Sequence, residues 1–180
     1  MLALYKRALD RIGAVERGLG IALILLIVVA ITVQVFSRYA LGRPIAWVEE
    51  TATYAFIWMV FVGAGLGMKE GRHILIATFG SRLPPRARAA LRMLVWLLVM
   101  VTLVVLIAQG AKVMEVEGRS KTISLPVELP RSWFYSLPLT VSAVSMLLTS
   151  IYLFLIEWPL LAGRRAAAAH PPAPVRGMPL

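Results

Sequence analysis

The residues with most capacity for chemistry stand at the borders of long apolar runs. Arg38, Glu49 and Glu50 bracket a short polar turn. Trp47, Glu50, Tyr54 and Trp58 follow one another at spacings of three and four, which on a helix brings them close to one face. An arginine paired with one of the two carboxylates would lock the turn and leave the other carboxylate to a partner. The plainer reading of the same residues is snorkelling and interfacial anchoring, which alone accounts well for Trp47. Further along, Gly63 and Gly67 form a small-xxx-small pair of the kind that lets helix backbones approach closely in lipid. Lys69, Arg72 and His73 cluster just beyond, suited to inner-leaflet lipid or to a partner protein. A hydroxyl series, Thr140, Ser142, Ser145 and Thr149, most simply bonds its own helix or a neighbouring one.

What is missing narrows the chemistry further. The chain has no cysteine, so thiol catalysis, disulfides and Cys-based metal sites are excluded. Its two histidines, His73 and His170, lie outside the apolar runs, where they could not hold a haem in a bundle. No Asp, Glu, Lys, Arg or His falls within those runs. An intramembrane hydrolase would lack its base, and a small multidrug exporter its membrane carboxylate. A carrier that binds ions at mid-membrane normally needs ionisable groups or broken helices there. Neither an enzyme nor a cofactor is expected. A subunit whose partner holds the transport site is.

The elements that position these residues follow from composition. Apolar residues make up 59% of the 180 and charged residues 16%, with a mean hydropathy of +0.80. The apolar residues fall in four charge-free blocks, 18–37, 51–68, 93–111 and 132–156, of 20, 18, 19 and 25 residues. At about 1.5 Å per helical residue each reaches roughly 27–37 Å, enough for a hydrocarbon core of about 30 Å. Helices are required because lipid satisfies no backbone amide, and the alternation of a barrel strand is absent. The expectation is an all-α integral membrane protein with spans at about 18–37, 50–68, 92–111 and 132–157. The first block is too long for a signal peptide and lacks a small-residue cleavage site.

The net charge of +10 reflects topology and not nucleic-acid binding. Of 19 Lys and Arg, thirteen lie before the first span, between the second and third, or after the last. The positive-inside rule then puts both termini and the 69–92 loop in the cytoplasm. Residues 1–17 carry Leu2, Tyr5, Leu9 and Ile12 at helical spacing among basic residues, which predicts a short amphipathic helix lying on the inner leaflet. Pro130 suits the start of the fourth helix, and Pro138, about two turns in, is expected to kink it. The 18–160 membrane domain is followed by an Ala- and Pro-rich tail, 161–180, expected to be disordered.

Two stretches carry a family resemblance. Val35-Phe36-Ser37-Arg38-Tyr39 leads to Ile45-Ala46-Trp47-Val48-Glu49-Glu50. Trp58-Met59-Val60-Phe61-Val62-Gly63-Ala64 leads to Lys69-Glu70-Gly71-Arg72-His73-Ile74. With Leu125-Pro126, Leu129-Pro130, Trp133-Phe134-Tyr135 and Pro138, they resemble the small, DctQ-like membrane subunit of TRAP transporters, the tripartite ATP-independent periplasmic carriers, over roughly residues 17–157. The resemblance implies a bacterial inner-membrane scaffold. Its partners would be a large permease subunit, which carries sodium and substrate in an elevator-like cycle, and a periplasmic binding protein that captures an organic acid. Arg38, Trp47, Glu49, Glu50, Tyr54, Trp58, Gly63, Gly67 and His73 are the candidate partner contacts, and membrane lipid is the remaining neighbour. Where family members often carry an acidic residue after the His-Ile pair, this chain has Ile76-Ala77-Thr78. An unrelated four-span assembly or anchoring protein is the alternative.

Overall fold

A computed structural model describes residues 2–70 and 84–161. Among these, four helices are long and apolar enough to cross a membrane. Helix α1 spans Leu2–Ala40, α2 Ala46–Lys69, α3 Pro85–Glu117 and α4 Ser136–Leu161, with a 3₁₀ turn at Arg131–Trp133 before α4. His73, Ala77 and the 161–180 tail beyond Leu161 lie outside the described residues. The end that carries the α1–α2 turn is termed outer, following the charge asymmetry.

The turn between α1 and α2 is compact because side chains and backbone close it together. Gly42 adopts φ +64°, a region that L side chains avoid. Ser37 donates its hydroxyl to the Arg43 carbonyl at 2.5 Å, and its own carbonyl accepts the Leu41 and Arg43 amides, both at 3.2 Å. Pro44 disfavours helix at Arg43, the residue before it, and α2 begins at Ala46 with Ile45 extended before it. Behind the turn, Ala30, Val48 and Ala52 form a small-residue core with Ile45 against it. Such residues let α1 and α2 approach closely.

In space α1 packs on α2, α2 on α4, and α3 chiefly on α4, with a lesser contact between α1 and α4. Only 11% of the apolar window is buried within the chain in α1 and in α3, against 33% in α2 and 28% in α4. The α2–α4 seam is therefore the interior, and the flanking helices turn most of their surface to lipid or to another protein.

Two expectations are corrected here. The leader is not a separate surface helix but continues without a break into the first span, 39 residues in all. No proline interrupts it, and its apolar positions are used within the chain: Leu9 and Gly13 are buried, and the Tyr5 hydroxyl donates to the Leu148 carbonyl at 2.7 Å. Pro138, for its part, lies in the first turn of α4, because Arg131–Trp133 is a 3₁₀ turn and the α-helix begins only at Ser136. There the missing amide costs no helical bond.

Candidate functional site

At the outer end, Glu50 stands one turn into α2 and reaches across to the loop before α4. Its Oε1 accepts the Tyr54 hydroxyl at 2.5 Å and the Ile123 amide at 3.0 Å, and its Oε2 accepts the Ser124 amide at 2.6 Å. The loop is itself a tight hairpin. Thr122 donates its amide to the Leu129 carbonyl and Arg131 to the Ser120 carbonyl, both at 2.9 Å, and the Thr122 hydroxyl donates to the Val127 carbonyl. Lys121 pairs with Glu128 beside it, and its hydrogen bond and positive charge hold the Glu128 carboxyl below the usual carboxylate range. The Tyr54 ring stacks on Phe134 with centroids 4.1 Å apart and meets Tyr135 edge-on at 5.8 Å. Arg131 lies 5.1 Å above the Tyr135 ring. Trp58 donates its indole N–H to the Trp133 carbonyl at 3.2 Å.

Glu50, Tyr54 and Trp58 do share a face, as their spacing predicts, but that face turns towards the chain's own outer loop. Tyr54 is only 5% exposed. It has no surface to offer another subunit. Trp47, by contrast, is half-exposed. Arg38 bonds the Glu49 carboxylate at 3.3 Å, so the expected lock on the turn exists and Glu49 is its acid. Gln34, buried in α1, ties the same turn by donating to Glu49 at 3.3 Å and accepting the Ile45 amide at 3.1 Å. The second acid, expected to be left for a partner, is the one that grips the hairpin. Between α2 and the hairpin lies a cleft of about 360 Å³ with Glu49, Thr53, Arg131 and Tyr135 on its walls and Ile123 at its edge.

At the inner end the structure assembles a cluster that sequence reading missed. Lys69 donates to both oxygens of Glu16 at 2.8 Å and to the Ser145 hydroxyl at 2.5 Å, and Ser145 donates in turn to Glu16 Oε1 at 2.6 Å. The two charged side chains are 8% and 12% exposed. Arg17, the next residue of α1, and Glu70, which caps the end of α2, pair at 2.7 Å. Glu16 and Lys69 lie just outside the charge-free blocks, which is why block analysis passed over them. The legible signal was a glycine at helical spacing from each charge, Gly13 before Glu16 and Gly65 before Lys69.

The glycines sort into two sets. A Cβ on Gly65 would lie 3.2 Å from Glu16 Oε1, and one on Gly110 would lie 3.0 Å from the Thr140 hydroxyl. Both are close approaches between helices of the chain. A Cβ on Gly63 or Gly67 would meet nothing within 4 Å. They share an open side of α2 with Glu49, Thr53, Phe56 and Val60, all exposed. The α4 hydroxyls are internal: Ser142 donates to the Phe61 carbonyl at 2.5 Å, and Thr149 and Ser150 bond carbonyls one turn back in their own helix.

With this geometry in place, comparison with known proteins is decisive. Residues 27–159 match the family described as tripartite ATP-independent periplasmic transporters, DctQ component. The sialic acid TRAP transporter small permease protein SiaQ of Vibrio cholerae serotype O1 is 29% identical over 128 residues, 71% of this chain and 73% of that protein. A putative TRAP transporter small permease protein of Haemophilus influenzae is 32% identical over 74 residues, 41% of this chain and 46% of that protein. The sialic acid TRAP transporter permease protein SiaT of Haemophilus influenzae is 27% identical over 101 residues, 56% of this chain but only 16% of that much longer protein. The chain belongs to the DctQ family and is a component of a TRAP transporter in the membrane.

Proposed function

We propose that this DctQ-family chain is the fixed scaffold of a sodium-coupled, binding-protein-dependent carrier for an organic acid, and that a separate large permease subunit moves the substrate. The observation that carries this reading is the division of α2 into two sides. One side is consumed by the chain's own hydrogen bonds and stacking, through Glu50, Tyr54 and Trp58. The other side, below Glu49 and its pair with Arg38, leaves Gly63 and Gly67 open and Phe56 and Val60 exposed among the described residues. Small residues on an open helix face suit close packing by another helix, and packing is what drives association where lipid supplies no hydrophobic force. The large subunit is the occupant we assign to that side. The relationship to one segment of the longer SiaT protein supports a small unit that works beside a larger permease. The organic-acid class is supported by the sialic acid named for two of the relatives.

The outer cleft, with the Glu49 carboxylate, Arg131 and the exposed Ile123 around it, is on this reading the face available to the periplasmic binding protein. Reconstitution tests the assignment. Liposomes holding this chain alone, under an imposed sodium gradient, take up no organic acid. Uptake appears when the large subunit and the binding protein are added. Uptake by the isolated chain would overturn the scaffold reading.

A further inference from the structure

The inner cluster is a built site and not a chance pair. Glu16 and Lys69 come from helices that run in opposite directions, and Ser145 from a third, so one hydrogen-bonded ring ties α1, α2 and α4 together. Each charge has a slot carved for it on the opposite helix. The Lys69 stem runs beside Gly13 of α1, where a Cβ would stand 3.4 Å from Lys69 Cδ. The Glu16 carboxylate lies against Gly65 of α2. A buried ion pair contributes little when compared with apolar residues of equal volume, but it tolerates few alternative arrangements, since a charge separated from its partner in low dielectric is heavily penalised. The order of signs adds to this. Glu16-Arg17 on α1 faces Lys69-Glu70 on α2. Exchanging partners would set Glu16 opposite Glu70 and Arg17 opposite Lys69, two like-charge contacts.

We propose that Glu16, Lys69 and Ser145 form a register-setting joint that makes the leader and the helices α1, α2 and α4 one rigid body. The leader, residues 2–15, extends about 20 Å beyond the joint as an unbroken continuation of α1. Its free end is fixed a second time by Tyr5, whose hydroxyl bonds the Leu148 carbonyl and whose ring lies 5.6 Å from that of Tyr152. This inference gives the scaffold reading its mechanical basis, because a subunit that holds still against a moving partner needs its own helices locked in rotation and register. It stands independently of that reading as well, since it concerns the chain by itself.

The natural absence of cysteine makes the test direct. Spin labels on Ala8→Cys in the leader and Leu155→Cys in α4, two exposed positions, report the leader-to-bundle distance in full-length chain in nanodiscs. The intact joint gives one narrow distance distribution. Lys69→Met and Glu16→Gln each widen it about twofold or add a second population, because each strands a polar partner. Ser145→Ala, which removes only one hydroxyl and leaves the ion pair, gives a smaller widening and serves if a charge variant fails to insert. Unchanged distributions in Lys69→Met and Glu16→Gln, or in Ser145→Ala where a charge variant fails to insert, would overturn the joint. Because the large subunit is absent from the experiment, its outcome does not depend on the scaffold assignment.

Discussion

The two ends of α2 are held by the same kind of group in opposite ways. At the outer end the Glu50 carboxylate pairs with no cation among the described residues. It is satisfied by two backbone amides of the hairpin and one phenol. At the inner end the Glu16 carboxylate accepts no backbone amide among its described contacts. It is satisfied by Lys69 and Ser145. The difference follows from what each neighbour can offer. An irregular loop has spare N–H groups and gains by having them bonded, whereas a continuous helix has already committed its own. A carboxylate can therefore staple a loop to a helix by itself, but joining helix to helix takes side chains and, for a buried acid, a countercharge.

That contrast predicts a ranking of effects. Lys69→Met is the most damaging single change, because it leaves Glu16 buried and unpaired, a loss of about 3–5 kcal/mol, read as a lower midpoint of thermal unfolding in detergent or nanodiscs. Equal midpoints for Lys69→Met and wild type would remove the distinction between the two ends. Glu50→Ala costs less, about 1–3 kcal/mol, since hairpin amides released near the membrane surface find water. Its effect is local. Hydrogen exchange at the Ile123 and Ser124 amides should accelerate while amides in α4 stay protected.

The glycines sharpen the comparison by sign. Gly65→Ala forces a methyl against Glu16 and destabilises by about 1–3 kcal/mol. Gly63→Ala, two residues away on the open side, stabilises the isolated chain by about 0.5–1 kcal/mol through helix propensity alone. Two changes of the same sign would mean that the sides of α2 have been misassigned. The smallest effect is expected for Arg38→Ala. Its pair with Glu49 is 51% and 62% exposed, and such pairs contribute about 0–1 kcal/mol. Gln34 also holds Glu49 independently, so the turn should survive the loss.

How much of this was legible follows the same physics. The four spans were readable because lipid imposes length and apolarity on every crossing helix, and the charge gaps marked their ends. The shared face of Glu50, Tyr54 and Trp58 was readable from spacing. What it touched was not, since spacing gives a face and not a neighbour, and the 118–135 connection far along the chain supplied the neighbour here. The leader's continuity with α1 was obscured by its amphipathic pattern, which fits a helix buried against α4 as well as one lying on a membrane. The Glu16–Lys69 pair was missed because both residues stand just outside apolar blocks that are separated by a turn, and only tertiary packing brings them against Ser145 in the middle of the fourth block. Gly63 and Gly67 were singled out while Gly65 was not, although Gly65 makes the internal contact. A glycine's role depends on what stands opposite it, which one sequence does not record.

The measurement that bears most directly on the scaffold account is co-purification of the large permease subunit with Gly63→Leu and Gly67→Leu variants of this chain, with Lys121→Ala in the outer hairpin as the control. A Cβ at either glycine meets nothing within 4 Å among the described residues, so each leucine variant should insert at normal levels with an unfolding midpoint no lower than that of wild type. The account predicts that both leucine variants lose the large subunit while Lys121→Ala retains it. Full recovery of the large subunit with both leucine variants would contradict it, and would mean that this side of α2 faces lipid.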